Sequence, residues 1–389
     1  MPVLLGLFIA SRWGLEELAA YTIAAALIAI ASVVGDWGAT RALPRNLALL
    51  GPDAARAFLA SATSLRLLIV VAILGFGLAA AALGWLDPKV VGYASVLFPL
   101  CVLTVAVTNA LSERVVEKRT HTIAAAVVAG LVVFAALAAA ALAFDRGPLW
   151  FVAAYLAGKV VEAAAVLSGR WWVIAARVEG ARSTAKLLWP FSAQMILGVV
   201  YSRLAVFTVE RMATRADLGV FSVAAALQGA VALIPSALAL LYFPDLTRHA
   251  QAGEARAMRD LVLRYTIISI LGVTLGVAIL ALLSSRIAHL LNVPSGHTPF
   301  IVAFAAVTYL TIFSIMSGFL MQARGEERLA ARLSLIALLL ALVYQVVALA
   351  AWGLAGIVVA TAAGELTGIA LFGLALSRSG LATAEIETR

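Results

Sequence analysis

A few ionisable side chains sit where ionisable side chains are costly. Lys159 and Glu162 occur in "LAGKVVE", Glu365 in "AAGELTG" and Arg203 in "VVYSRLAVF", each inside a stretch that is otherwise almost wholly apolar. A charge at bilayer depth faces a partner, a water-filled cavity or a substrate far more often than it faces lipid. The chemistry open to these groups is binding and charge compensation. A guanidinium or ammonium grips phosphate through charge-assisted hydrogen bonds, and a carboxylate takes up and releases a proton or a cation.

Each group also has a purely structural reading. Lys159 lies about ten residues into its apolar block, roughly 15 Å at 1.5 Å per residue, and Glu162 one turn on can neutralise it at i, i+3. Glu365 lies at an equivalent depth of the last block, so it either pairs with Lys159 across the bundle or serves a substrate separately. Arg203 can snorkel to the outer interface, although it lies far from the inner end of its helix. Arg66, early in the third block, joins Arg203, Lys159, Glu162 and Glu365 as a cavity candidate. Asp36, Arg41 and Arg45 cluster in "GDWGATRALPR", either as an interfacial anchor with Trp37 at headgroup level or as an inner gate.

The elements that must position these groups are membrane helices. Of 389 residues, 64% are hydrophobic and 12% charged, against roughly 45–50% and about 25% in a soluble domain. The apolar residues come in blocks near 20 residues, the length that crosses a hydrocarbon core of about 30 Å. Spans are expected near 1–10, 18–40, 62–86, 90–111, 121–144, 149–173, 188–209, 217–243, 262–285, 298–321, 330–351 and 353–377. The fold class is an all-α polytopic membrane protein of about 12 spans. With the N-terminus cytoplasmic, most of the 28 basic residues fall on one side, so the positive-inside rule places both termini in the cytoplasm. The short first block suggests a truncated first helix with a true start upstream of Met1.

The chain also repeats itself. "LAAYTIAAAL" at 18–27 and "LGVFSVAAAL" at 218–227 match without a gap at five of ten positions, and the same offset pairs Pro44 with Pro244. An offset of six helices keeps the orientation, which makes the repeat parallel. The expected organisation is an N-terminal six-helix lobe (1–175), a linker (176–187), a C-terminal six-helix lobe (188–377) and a cytoplasmic tail (378–389), with a cavity between the lobes.

Several functions are set aside. "GFGLAA" at 75–80 lies mid-span without the strand a dinucleotide fold needs. There is no Walker A sequence, the four histidines are scattered, and Cys101 is the one cysteine. No cofactor or metal is expected. The scattered positive charge, net +8, does not form the stripe that binds nucleic acid. Connections such as "LDPK" at 86–89 are short for a membrane glycosyltransferase or ligase, so the chain reads as a transporter and not an enzyme.

"LAAYTIAAALIAIASVVGDWGATRALPR", "ADLGVFSVAAALQGAVALIPSALALLYFPDLTRHA" and "LMQARGEERLAARLSLIALLL" with "WGLAGIVVATAAGELTG" resemble the polysaccharide-biosynthesis, O-antigen-type flippases of the multidrug/oligosaccharidyl-lipid/polysaccharide (MATE-like) exporter superfamily. The resemblance spans nearly the whole chain. It implies two six-helix lobes around a central cavity in the bacterial inner membrane. It implies alternating access that moves an undecaprenyl-pyrophosphate-linked oligosaccharide from inner to outer leaflet. Arg203 and Lys159 are the positions that could fill the family's cavity-facing cationic role. Implied partners are the lipid-linked oligosaccharide, the bilayer, a coupling ion (H+ or Na+) at Glu162 or Glu365, and polysaccharide polymerase or other assembly proteins. The alternative within the superfamily is an ion-coupled multidrug or small-solute exporter.

Overall fold

The computed structural model describes residues 2–47, 50, 52–116, 120–169 and 174–387. Among them the regular structure is helical throughout, with no strand. In chain order the helices are α1 (Pro2–Trp13), α2 (Leu15–Asp36), α3 (Ala39–Leu47), α4 (Pro52–Ala82), α5 (Pro88–Leu97), α6 (Pro99–Val116), α7 (Thr120–Ala143), α8 (Pro148–Leu167), α9 (Ala181–Met212), α10 (Arg215–Gln251), α11 (Ala255–Leu290), α12 (Thr298–Ala306), α13 (Thr308–Ala323), α14 (Glu327–Trp352) and α15 (Leu354–Glu387). Among the described residues, eleven stretches are long and apolar enough to cross a membrane, and α1 adds a 12-residue helix before them.

The chain signals its helix starts locally. Asp87 accepts a hydrogen bond from Lys89 N at 2.8 Å and Pro88 follows it, an N-cap with proline at the first helical position. Thr214 and Asp217 form a reciprocal capping box at the start of α10, satisfying two donors that the first turn would otherwise leave open.

Two expected spans are interrupted. The fourth breaks at Phe98 between α5 and α6, where Pro99 has no N–H to continue the ladder. The tenth breaks at Val307 between α12 and α13. A further departure is α3, where a plain connection was expected after 40. Its Ala39, Leu43 and Leu47 recur at i, i+4, i+8 and pack on Leu59 and Ala62 of α4, so one buried stripe makes a helix of a segment containing Pro44.

The helices form two compact units, Ala20–Val199 and Met1–Ala19 with Val200–Arg389. This division differs from the expected lobes of 1–175 and 188–377. Residues 1–19 belong with the second unit because α1 packs on α10, and Gly219 lies so close to α2's first residue that a Cβ there would come within 2.5 Å of Leu15 O. Residues 181–199 belong with the first because the Trp37 ring meets Trp189 at 5.4 Å, and Gly38 lies against the 188–192 backbone.

Inside each unit the packing follows one plan. In the first, α7 pairs with α8, α6 packs on α3, α4 and α8, and α5 packs on α8. In the second, α14 pairs with α15, α13 packs on α10, α11 and α15, and α12 packs on α15. The duplicated sequence has thus become a duplicated helix arrangement. One close crossing uses glycine on both sides: a Cβ on Gly130 of α7 would lie 2.6 Å from Gly158 O of α8, and the reverse substitution meets the same distance.

Gly38 is the most constrained residue of the first unit. Its φ is +75°, and a Cβ there would come within 2.5 Å of Ser192 N, a backbone atom that cannot swing aside. Gly38→Ala is expected to cost at least about 2 kcal/mol from left-handed strain and overpacking together. Thermal unfolding followed by tryptophan fluorescence checks this, since Trp37 and Trp189 flank the site.

Candidate functional site

The first unit contains a buried charge network. Arg66 of α4 is fully buried and Asp36, at the end of α2, nearly so. Arg66 Nη2 donates to Asp36 Oδ1 at 2.7 Å and to Thr104 O at 3.3 Å. Nη1 donates to Asn109 Oδ1 at 2.8 Å and Val105 O at 3.2 Å. Asn109 Nδ2 in turn donates to Thr63 Oγ1 at 2.7 Å, and Asp36 Oδ2 accepts from Thr40 N at 2.9 Å, which caps α3. One ion pair therefore ties α2, α3, α4 and α6 together.

Two of the candidate residues thus lie in this network. Asp36 lies inside the helix packing, and the turn that follows it places Trp37 and Gly38 at positive φ before α3 begins. Arg66 is bonded to Asp36, Asn109 and two carbonyls and lies in the packed interior of its own unit. Arg41 and Arg45 lie on α3, and their side chains fall outside the described residues.

Lys159 and Glu162 form the i, i+3 pair within α8, Nζ to Oε2 at 2.7 Å, both partly buried. Nearby, Arg114 of α6 donates from Nε and Nη2 to Val166 O at 3.0 and 2.8 Å. A cation there complements the carbonyl end of α8, so Arg114 is a helix cap inside the unit.

The second unit holds the site with spare chemistry. Glu365 of α15 is 7% exposed. Tyr201 of α9 and Ser314 of α13 bring their hydroxyls against α15 at Gly364 and Gly368, on either side of Glu365 in sequence, while Oε2 is buried with no hydrogen-bond partner among the described residues. Gly364 makes the approach of Tyr201 possible, since a Cβ there would lie 2.8 Å from the phenol oxygen. On the same face of α9, seven residues on, Thr208 donates to Gln345 Oε1 of α14 at 3.1 Å. Buried polar atoms are nearly always satisfied, and an exception calls for an explanation. A carboxylate with two hydroxyl oxygens is a hard, all-oxygen donor set suited to a proton or an alkali cation.

Arg203 is half-buried on α9. Two residues after Tyr201, it points about 200° around the helix from it, so it does not join the Glu365 group. Tyr201 and Ser314 are the residues that sequence reasoning missed. Hydroxyl side chains are common in membrane helices and carry no charge to mark them, although Tyr201 stands two places from Arg203 in the stretch already singled out.

No protein-family model and no curated protein sequence matches the chain. Solved structures do match its fold. An inward-facing multidrug-resistance MATE-family transporter of the MOP superfamily superposes with a TM-score of 0.76 at 17% identity, covering 97% of this chain and 94% of the other. The lipid II flippase MurJ, in an inward closed conformation, gives 0.74 at 14% identity over 97% and 86%. A MOP-superfamily transporter from Pyrococcus furiosus, described as having a binding pocket of reversed polarity, gives 0.65 at 16% over 97% and 94%. The chain is a multi-pass, all-helical membrane protein with the MATE-like fold of the MOP-superfamily transporters and flippases.

Proposed function

We propose that the protein is a flippase that moves an undecaprenyl-pyrophosphate-linked oligosaccharide from the inner to the outer leaflet of a bacterial cytoplasmic membrane by alternating access, with both termini cytoplasmic. The observation that carries this reading is the likeness to the lipid II flippase along nearly the whole chain. That protein is named for the lipid it flips, lipid II. The physical task is to take a doubly anionic headgroup through hydrocarbon while its tail stays in lipid, which calls for a cation within the spans. Arg203, an arginine set well inside α9, is the headgroup candidate, with Glu365 as the coupling carboxylate.

A charge-assisted hydrogen bond is worth about 1.5–3 kcal/mol, so Arg203→Ala is expected to slow leaflet transfer at least about tenfold. Arg203→Lys should retain part of the rate. The check is dithionite quenching of a fluorescent polyprenyl-pyrophosphate oligosaccharide in proteoliposomes. Unchanged transfer by a well-folded Arg203→Ala protein would remove Arg203 from the site.

The second reading, an ion-coupled exporter of drugs or small solutes, draws on the Glu365 group, whose donor set suits H+ or Na+, and on the likeness to the multidrug-resistance transporter. The two readings share the coupling site and differ in cargo. No enzymatic role is proposed, since the similar structures named above are transporters and a flippase.

A further inference from the structure

The start of α9 carries a basic groove that the transport reading does not use. Val178, Gly180, Ala181, Arg182, Ser183 and Lys186 line an open surface groove. The loop that forms one wall is held in place: Arg177 N donates to Ala60 O at 3.1 Å and Ser61 Oγ to Glu179 O at 2.6 Å. The nearby acid does not neutralise the groove, because Glu179 is paired with Arg177. Arg182 and Lys186 are both exposed and form no ion pair among the described residues. Standing at i, i+4 they repel one another, a cost that a bound anion would relieve.

What covers this surface is indicated by the helix face beyond it. Arg182, Lys186 and Trp189 recur at i, i+4, i+7 and share one side of α9. Trp189 is 53% exposed. Two cations followed one turn on by an exposed indole is the order in which a helix face passes from headgroups toward hydrocarbon. We infer that this groove binds the headgroup of an anionic phospholipid of the surrounding leaflet, with Arg182 and Lys186 on the phosphate and Trp189 at the glycerol level. The inference rests on the membrane fold alone and holds whatever the cargo.

The test is native mass spectrometry of the delipidated full-length protein in detergent, titrated in parallel with dioleoylphosphatidylglycerol, dioleoylphosphatidylcholine and inorganic phosphate. The wild type is expected to retain phosphatidylglycerol selectively. At about fivefold per basic residue at a membrane surface, Arg182→Gln with Lys186→Gln should weaken that binding by about 25-fold, and Lys186→Gln alone by about fivefold. Arg256→Gln with Arg259→Gln, which removes two exposed cations from the start of α11, should leave it unchanged. Equal retention of the two lipids, or an equal loss in the Arg256 and Arg259 control, would overturn the assignment. Binding of inorganic phosphate with no preference between the lipids would also overturn it, by showing an anion site that does not read phospholipid.

Discussion

Arg66→Met is expected to leave little folded protein. The substitution strands Asp36 as a buried carboxylate without its cation and removes the donor to Asn109 and to two α6 carbonyls. Breaking a buried pair from one side costs about 3–5 kcal/mol, a large share of the roughly 5–15 kcal/mol that holds a typical domain. The same principle supplies the control: removing both charges costs far less than removing one. Asp36→Leu combined with Arg66→Met should recover most of the loss, short of wild type because Thr40 N loses its cap and Asn109 Oδ1 its donor. Fluorescence-detection size exclusion after a temperature series measures this. A single Arg66→Met as stable as wild type would show that the network does not hold the first unit together.

Glu365→Gln should separate energy coupling from folding. The amide keeps the shape and can still meet Tyr201 and Ser314, but it neither binds a proton in this range nor compensates a cation. Uphill transport driven by an imposed H+ or Na+ gradient is expected to fall to that of protein-free vesicles, while thermal stability stays within about 1 kcal/mol. Tyr201→Phe, which removes one oxygen at the carboxyl group, should weaken ion dependence without abolishing it. Gradient-driven transport that survives in Glu365→Gln would assign coupling elsewhere. Glu162, already committed to Lys159, would then be the next carboxylate to substitute.

The parts of this architecture legible in the sequence are those set by local chemistry. Apolar blocks located the spans because hydrocarbon admits little else, and the i, i+3 spacing of Lys159 and Glu162 was enough to foresee their pairing. Pro99 has no N–H to continue the ladder between α5 and α6, but Pro190, Pro235 and Pro244 lie inside unbroken α9 and α10, so a proline alone does not announce a break. Val307 offers not even that mark. What stayed hidden depends on which helices touch. Asp36 and Arg66 are 30 residues apart, and nothing in "GDWGATR" says that the carboxylate lies inside the packing. The division into units was also out of reach, because it depends on the contact of Gly219 with Leu15 and of Gly38 with Ser192. Glu365 was found by its charge, whereas Tyr201 and Ser314, two uncharged side chains, appear only when α9, α13 and α15 are seen side by side.

The most direct test of the central claim is leaflet transfer by the wild-type protein. It is reconstituted into proteoliposomes with a fluorescent polyprenyl-pyrophosphate oligosaccharide, and uptake of a cationic dye is measured in the same preparation under an imposed H+ or Na+ gradient. The account predicts transfer of the lipid above protein-free vesicles and no gradient-driven accumulation of the dye. Dye accumulation without lipid transfer would contradict it and make the protein an ion-coupled exporter on the same fold.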